Sequence, residues 1–184
     1  MVWSLRAAQV KLLSVPAGSS EYTFNNVFSG ILPSVVVLAL VNAEALNGTV
    51  KSNPLHFGNF DVTDFDYRIN GRSYRGQPMR PRFSAPKNYE LYYHQLMETC
   101  AATGPVHYLD INHEQWEHQA CLWVMETNTD ASIRNTLPET GNIGVQFRFR
   151  APTGTALTLI ALGQKVETVS LHDTLDVQYY PITA

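Results

Sequence analysis

The densest group of chemically capable side chains is His113-Glu114-Gln115-Trp116-Glu117-His118. Two imidazoles and two carboxylates invite comparison with zinc proteases, where histidines four residues apart share one face of a helix. Here the spacing is five. On a helix that sets the rings about 140° apart, so they cannot chelate one ion together. No apolar helical pattern surrounds the segment either, and residues 106–119 read as a polar, irregular loop. Asp64 and Asp66 could act as paired carboxylates, but both are expected on the wet face of a hairpin strand. His107-Tyr108 and His172-Asp173 have no nucleophile near them in sequence. Gly141-Asn142-Ile143-Gly144 is too short for a dinucleotide or phosphate loop, and the chain has no GxSxG or Walker A motif. No catalytic, cofactor-binding or metal-ligating residue is assigned, and the chain is not expected to be an enzyme.

Composition excludes further classes. The 184 residues are 45% hydrophobic and 16% charged, with a net charge of -3. That balance carries no footprint of nucleic-acid binding. Arg68, Arg72, Arg75, Arg80 and Arg82 cluster, but Asp61, Asp64 and Asp66 lie just before them, which predicts a mixed, solvated surface. Cys100 and Cys121 are too few for a disulfide scaffold and read as buried free thiols, suited to a reducing compartment. Met1-Val2-Trp3 leads into charged and polar residues, so no signal peptide is expected. No apolar run approaches the ~20 residues of a membrane span. The sequon Asn47-Gly48-Thr49 is therefore expected to stay unmodified.

The elements that must carry these residues are mostly strands. Val35 to Val41 is the anchor, bounded by Pro33 and Asn42. It is apolar on both faces: Val35, Val37, Ala39 and Val41 on one, Val36, Leu38 and Leu40 on the other. Such a strand needs a neighbour over its second face. Cys121, Trp123 and Met125, alternating with Ala120, Leu122 and Val124, repeat the pattern. One-sided strands are expected at 6–14, Tyr22–Phe24, Phe65–Ile69, Val145–Phe149, Leu157–Ala161, Val166–Ser170 and Leu175–Tyr179. Asn70-Gly71 predicts a tight hairpin turn, because both central residues need positive φ. Residues 42–48 read as a turn, 77–86 as an extended Pro-rich loop and 128–142 as a polar loop. A single helix is predicted over about 88–102, with Asn88 as N-cap, Gly104-Pro105 as its stop, and Tyr92, Leu96 and Met97 on its packing face. His94, on that helix, has no partner evident nearby in sequence. Strands at near-regular spacing with one inserted helix predict an all-β, jelly-roll β-sandwich forming a single domain over 1–184.

Residues 14 to 112 also resemble a known family. An apolar strand (Val35 to Val41) is followed by a small-residue turn with Asn-Gly (Ala43 to Gly48), then Asn53-Pro54 and Phe57. A Tyr-bearing strand and a Gly turn come next (Tyr67, Gly71). A Pro-rich segment leads to an aromatic helix (Pro78, Pro81, Phe83, Tyr92), and Leu109-Asp110-Ile111 precedes the next strand. In this order they resemble the C-terminal half of the major capsid protein of Polinton (Maverick) elements and adintovirus-like viruses, including endogenous capsid-like relatives in invertebrate genomes. The resemblance is weaker after Thr127. It implies a virion protein: a vertical jelly roll of a double jelly-roll capsid protein, building the icosahedral shell and assembled in the host cytoplasm or nucleus. The implied partners are a companion jelly roll or further copies in a trimeric, pseudohexameric capsomer, and other capsid proteins. No cofactor, specific nucleic acid or membrane span is implied. The family's N-terminal jelly roll has no counterpart in these residues. A jelly-roll binding module, lectin-like or cytokine-like, is the alternative, and a β-sandwich enzyme the third class, since fold does not give function.

Overall fold

The computed structural model describes residues 2–103, 110–127, 139–171 and 177–180. The expectations placed on His107-Tyr108, Leu109, His172-Asp173 and Leu175 fall outside them. Strands β1 (Val2–Val15), β8 (Leu157–Leu171), β3 (Val35–Asn42) and β6 (Leu122–Glu126) form one sheet in the order β1-β8-β3-β6, with β9 (Val177–Tyr180) added on β8. Strands β2 (Glu21–Ile31), β7 (Thr140–Phe149), β4 (Val62–Ile69) and β5 (Arg72–Ser73) form the second in the order β2-β7-β4-β5. All these pairings are antiparallel. A five-stranded and a four-stranded sheet whose strands interleave in this order are a jelly roll.

Local chemistry explains most boundaries. Asn70 and Gly71 take φ of 52° and 78°, the double left-handed turn that closes the β4–β5 hairpin. Residues 43–46 form a one-turn helix, α1 (Ala43–Leu46), rather than a plain turn, because the Asn42 side chain accepts from the Glu44 amide at its start. Helix α2 (Glu90–Thr103) is the expected helix, but Asn88 does not cap it. The Asn88 backbone is occupied in a bridge with Arg82, so the helix starts beyond it. The strands expected at 157–161 and 166–170 are one continuous β8, since β1 supports its whole length. Likewise β2 continues past Phe24 through a register shift that brings Val27 and Phe28 into the core. Part of the expected polar loop belongs to β7, where Thr140 to Asn142 pair with Ile31 to Ser29.

The core lies between the sheets. Val36, Leu38 and Leu40 face Phe65, Ile143, Val145 and Phe147, all essentially without solvent exposure. Each such side chain contributes about 1.5–3 kcal/mol by leaving water. A chain of rings runs from Phe147 to Phe65 (5.0 Å), Trp123 (5.1 Å) and Trp116 (5.8 Å). Trp116 belongs to a third helix, α3 (His113–His118). Tyr92 of α2 meets Trp123 at 5.7 Å, and Leu96 is buried with it. Helix α2 therefore packs along β6, the strand that ends the first sheet on that side.

Candidate functional site

The polar cluster singled out first is not the loop expected of it. His113–His118 is helical, started by a capping box in which Asn112 and Gln115 bond each other's backbone. Trp116 and Glu117 point inward, while His113 and His118 stay exposed on diverging faces. His113 stacks on Tyr93, with ring centroids 3.8 Å apart, and exposed His94 lies 5.8 Å from His113. Glu117 is buried and ties α3 to the 87–89 segment. Its carboxylate accepts from Lys87 Nζ and Tyr89 Oη, each at 2.7 Å. Burial pushes the Glu117 carboxyl up, but the bonds from Lys87 and Tyr89 outweigh it and hold the group below its usual range. Burial and the adjacent carboxylate push the Tyr89 phenol up to about 12. These bonds form a structural knot around a buried carboxylate. Cys121 is fully buried, and burial raises both its thiol and that of Cys100, so neither is poised as a nucleophile.

Asp66 also departs from expectation. It is only 5% exposed and bonds Arg68 Nε at 2.6 Å, whereas Asp64 remains on the surface with Arg80 at 3.2 Å. Both belong to a polar network across the outer face of the second sheet. Arg148 bonds Glu21 at 2.9 Å, and Gln146 lies between Glu21 and Arg68, bonding both. The arginine cluster is thus paired in part with carboxylates, and this face is polar.

The outer face of the first sheet is the opposite. Residues directly opposed across an antiparallel pair project to the same side. The register therefore lays out two cross-strand rows: Val10–Leu162–Val37–Val124 and Leu12–Ile160–Ala39–Leu122. Every member is apolar. On β3 the second face is largely covered within the chain: Val35, Ala39 and Val41 are buried and Val37 is half-buried. Exposure grows toward β1. Ile160 and Leu162 are half-buried, Val10 is 55% exposed and Leu12 62%. The flanking rows are mixed: Ala8–Gln164–Val35–Glu126 on one side and Ser14–Thr158–Val41 on the other, apolar and buried at β3 and polar or small elsewhere. An uncharged patch of this kind, rimmed by polar residues, is the signature of a contact surface. Sequence reasoning located β3's double face but not this end of it, because Val10 and Leu12 read as the core side of a one-sided strand. Facing the core instead are Lys11 and Leu13, with Lys11 Nζ 5.4 Å above the ring of Phe28.

No family model matches the chain. Over 97 residues, 53% of its length, it is 32% identical to an uncharacterized protein of Caenorhabditis elegans, of which the match spans 23%. Among solved structures, PBCV-1 VP54, fitted into a cryo-EM reconstruction of the virophage Sputnik, aligns with 98% of the chain at 9% identity and a TM-score of 0.47. A quasi-atomic model of the PBCV-1 virus capsid aligns over the same share at 9% identity and a TM-score of 0.48. The chain spans 52% of each of these structures and about a quarter of the worm protein. The jelly-roll assignment itself rests on the strand order.

Proposed function

We propose that residues 1–184 form one non-catalytic jelly-roll domain of a double jelly-roll major capsid protein, viral or virus-derived, akin to that of Polinton and adintovirus-like elements. Its task is to build a shell by lateral contact with a companion jelly roll or further copies, and its place is the virion. The observation that carries this reading is the one-sided outer surface: a charge-paired second sheet against a first sheet with two apolar rows open toward β1. A solitary binding module has no use for an apolar wall, whereas a subunit packed side by side with others needs one. The jelly-roll strand order and the family resemblance of residues 14 to 112 support the same reading. Sedimentation velocity over a wide concentration range tests it. Concentration-dependent closed oligomers are expected, weakened by Val10→Glu. A monomer at every concentration refutes assembly from copies of this domain alone.

A further inference from the structure

One stretch of the chain carries no negative charge. Tyr67 to Tyr89 holds six of the 13 Lys and Arg and none of the 16 Asp and Glu. In sequence Asp61, Asp64 and Asp66, just ahead of it, look sufficient to neutralise it. The structure shows where those carboxylates go. Asp66 takes Arg68, Asp64 takes Arg80, and Asp61 takes Arg150 from outside the stretch. Lys87 is held by Glu117. Arg72, Arg75 and Arg82 are left exposed, with no ion pair among the described residues.

These three stand on a fixed strip along the free edge of the second sheet. Tyr74 packs edge-on against Tyr67 on the inner side, with its amide donating to Tyr67 O, so neighbouring Arg75 turns outward. Met79 then pairs with Phe65 through two backbone bonds, which brings the chain back to β4. From there burial alternates: Met79, Pro81 and Phe83 are buried, while Arg80 and Arg82 are exposed. The two guanidiniums therefore project to one side, the side on which Arg80 meets Asp64. The Arg80 amide donates to Tyr92 Oη at 3.0 Å and ties the strip to α2.

We propose that this strip binds the phosphate backbone of a nucleic acid, without reading its sequence. Guanidinium forks match phosphate oxygens bidentately, and exposed Gln77 and Asn88 add amide donors of the kind that also contact phosphates. An acidic protein would present the same charge, but interfaces between proteins are built around an apolar core. The strip has none: the exposed large apolar side chains, Val10, Leu12, Leu46, Val50, Leu55 and Leu91, all lie outside it. Interfaces with nucleic acid are polar and strongly positive instead. The net charge of -3 conceals the strip because the excess carboxylates lie elsewhere, among them Glu90 and Glu98 on α2 and Glu114 on α3. Their repulsion makes the contact weak and sensitive to salt. The strip belongs to the sheet opposite the apolar rows, so the inference goes beyond the shell reading and does not depend on it.

Fluorescence anisotropy of the full chain with a short labelled DNA duplex of arbitrary sequence, titrated at several salt concentrations, tests it. Neutralising three phosphates gives a slope of log affinity against log salt of about -2.7. Affinity should therefore fall about 40-fold between about 50 and 200 mM salt. A duplex of unrelated sequence should bind equally. Arg72→Ala, Arg75→Ala and Arg82→Ala should each lessen the slope by about 0.9, and the triple variant should lose binding. Arg→Lys at all three positions keeps the charge and should retain most of the slope, which separates lost charge from lost fold. No binding by the wild type at about 50 mM salt, or an unchanged slope in the triple Ala variant, overturns the inference. Polyglutamate that displaces the labelled duplex as readily as unlabelled duplex does would give the strip to an acidic protein and overturn the nucleic-acid assignment. A clear preference between the two duplexes overturns the backbone-only mode. Duplex binding by a strict monomer supports the strip while assembly of this domain alone fails, and oligomers that ignore the duplex do the reverse.

Discussion

Lys87→Ala should destabilise the protein more than Glu117→Gln, although the two residues form one ion pair. The asymmetry follows from burial. The Glu117 side chain is 4% exposed, while that of Lys87 is 46% exposed. Removing the lysine strands a buried carboxylate, a change that costs about 3–5 kcal/mol when no help remains. Tyr89 still donates to Glu117, and His118 Nε2 stands 3.8 Å away. We therefore expect a loss toward the lower end, about 2–3 kcal/mol. Glu117→Gln keeps the shape and an acceptor for Tyr89, and it frees Lys87 to water, so about 1 kcal/mol should suffice. Urea unfolding at pH 7 measures both. The pair also sets a pH dependence. The folded carboxyl of Glu117 lies below its ordinary value of 4.5, so its contribution is full above that value and fades as pH falls through the folded one. Wild type should lose stability relative to Glu117→Gln only below about pH 4.5. Equal losses for the two variants at pH 7, or a wild-type deficit already growing between pH 7 and 5, would refute the reasoning.

Other perturbations separate the surfaces. A Cβ on Gly163 would sit 2.8 Å from Pro33 and 2.9 Å from Phe28, so Gly163→Ala should cost about 1–3 kcal/mol by overpacking, read as a lower urea midpoint. Leu38→Asp puts a lone carboxylate in the closed core and should abolish cooperative unfolding in circular dichroism. Leu122 is only partly buried on the outer face, so Leu122→Asp should leave a folded chain with a smaller loss. Replacing both His113 and His118 with Ala should cost less than about 1 kcal/mol, since both are exposed and diverge. Stoichiometric zinc that disappears from the double variant would contradict this.

The sandwich was legible because its signals are local. Val145, Phe147 and Phe149 alternate cleanly with polar residues, and all three are buried. Asn70-Gly71 announces its turn, and the 88–102 periodicity its helix. What could not be read depends on partners distant in the chain. Asp66 looked solvated because Gln146, which stands opposite it on β7, is distant in sequence, although its partner Arg68 is two residues away on its own strand. Helix α3 was missed because six residues with a buried glutamate carry no apolar period. Its one visible mark was the Asn112–Gln115 capping spacing. The exposed apolar rows escaped for a related reason. Alternation tells which residues share a face, but only packing tells which face is inside.

The pairing of β1 with β8 has a consequence for how this molecule is made. Val2 stands opposite Ser170 and Val15 opposite Leu157, so β1 stays unpaired on that side until β8, at the other end of the domain, has been made. Strand β3 waits for the same partner on one side, and β2 for β7. The loop entropy of these pairings is repaid only once β7 and β8 are made. Folding should accordingly be late, slow and concerted, with β1 exposed during synthesis and dependent on protection from premature association. A chain cut before Leu157 loses β8, and with it the neighbour of both β1 and β3, so it should fail to fold rather than yield a smaller domain.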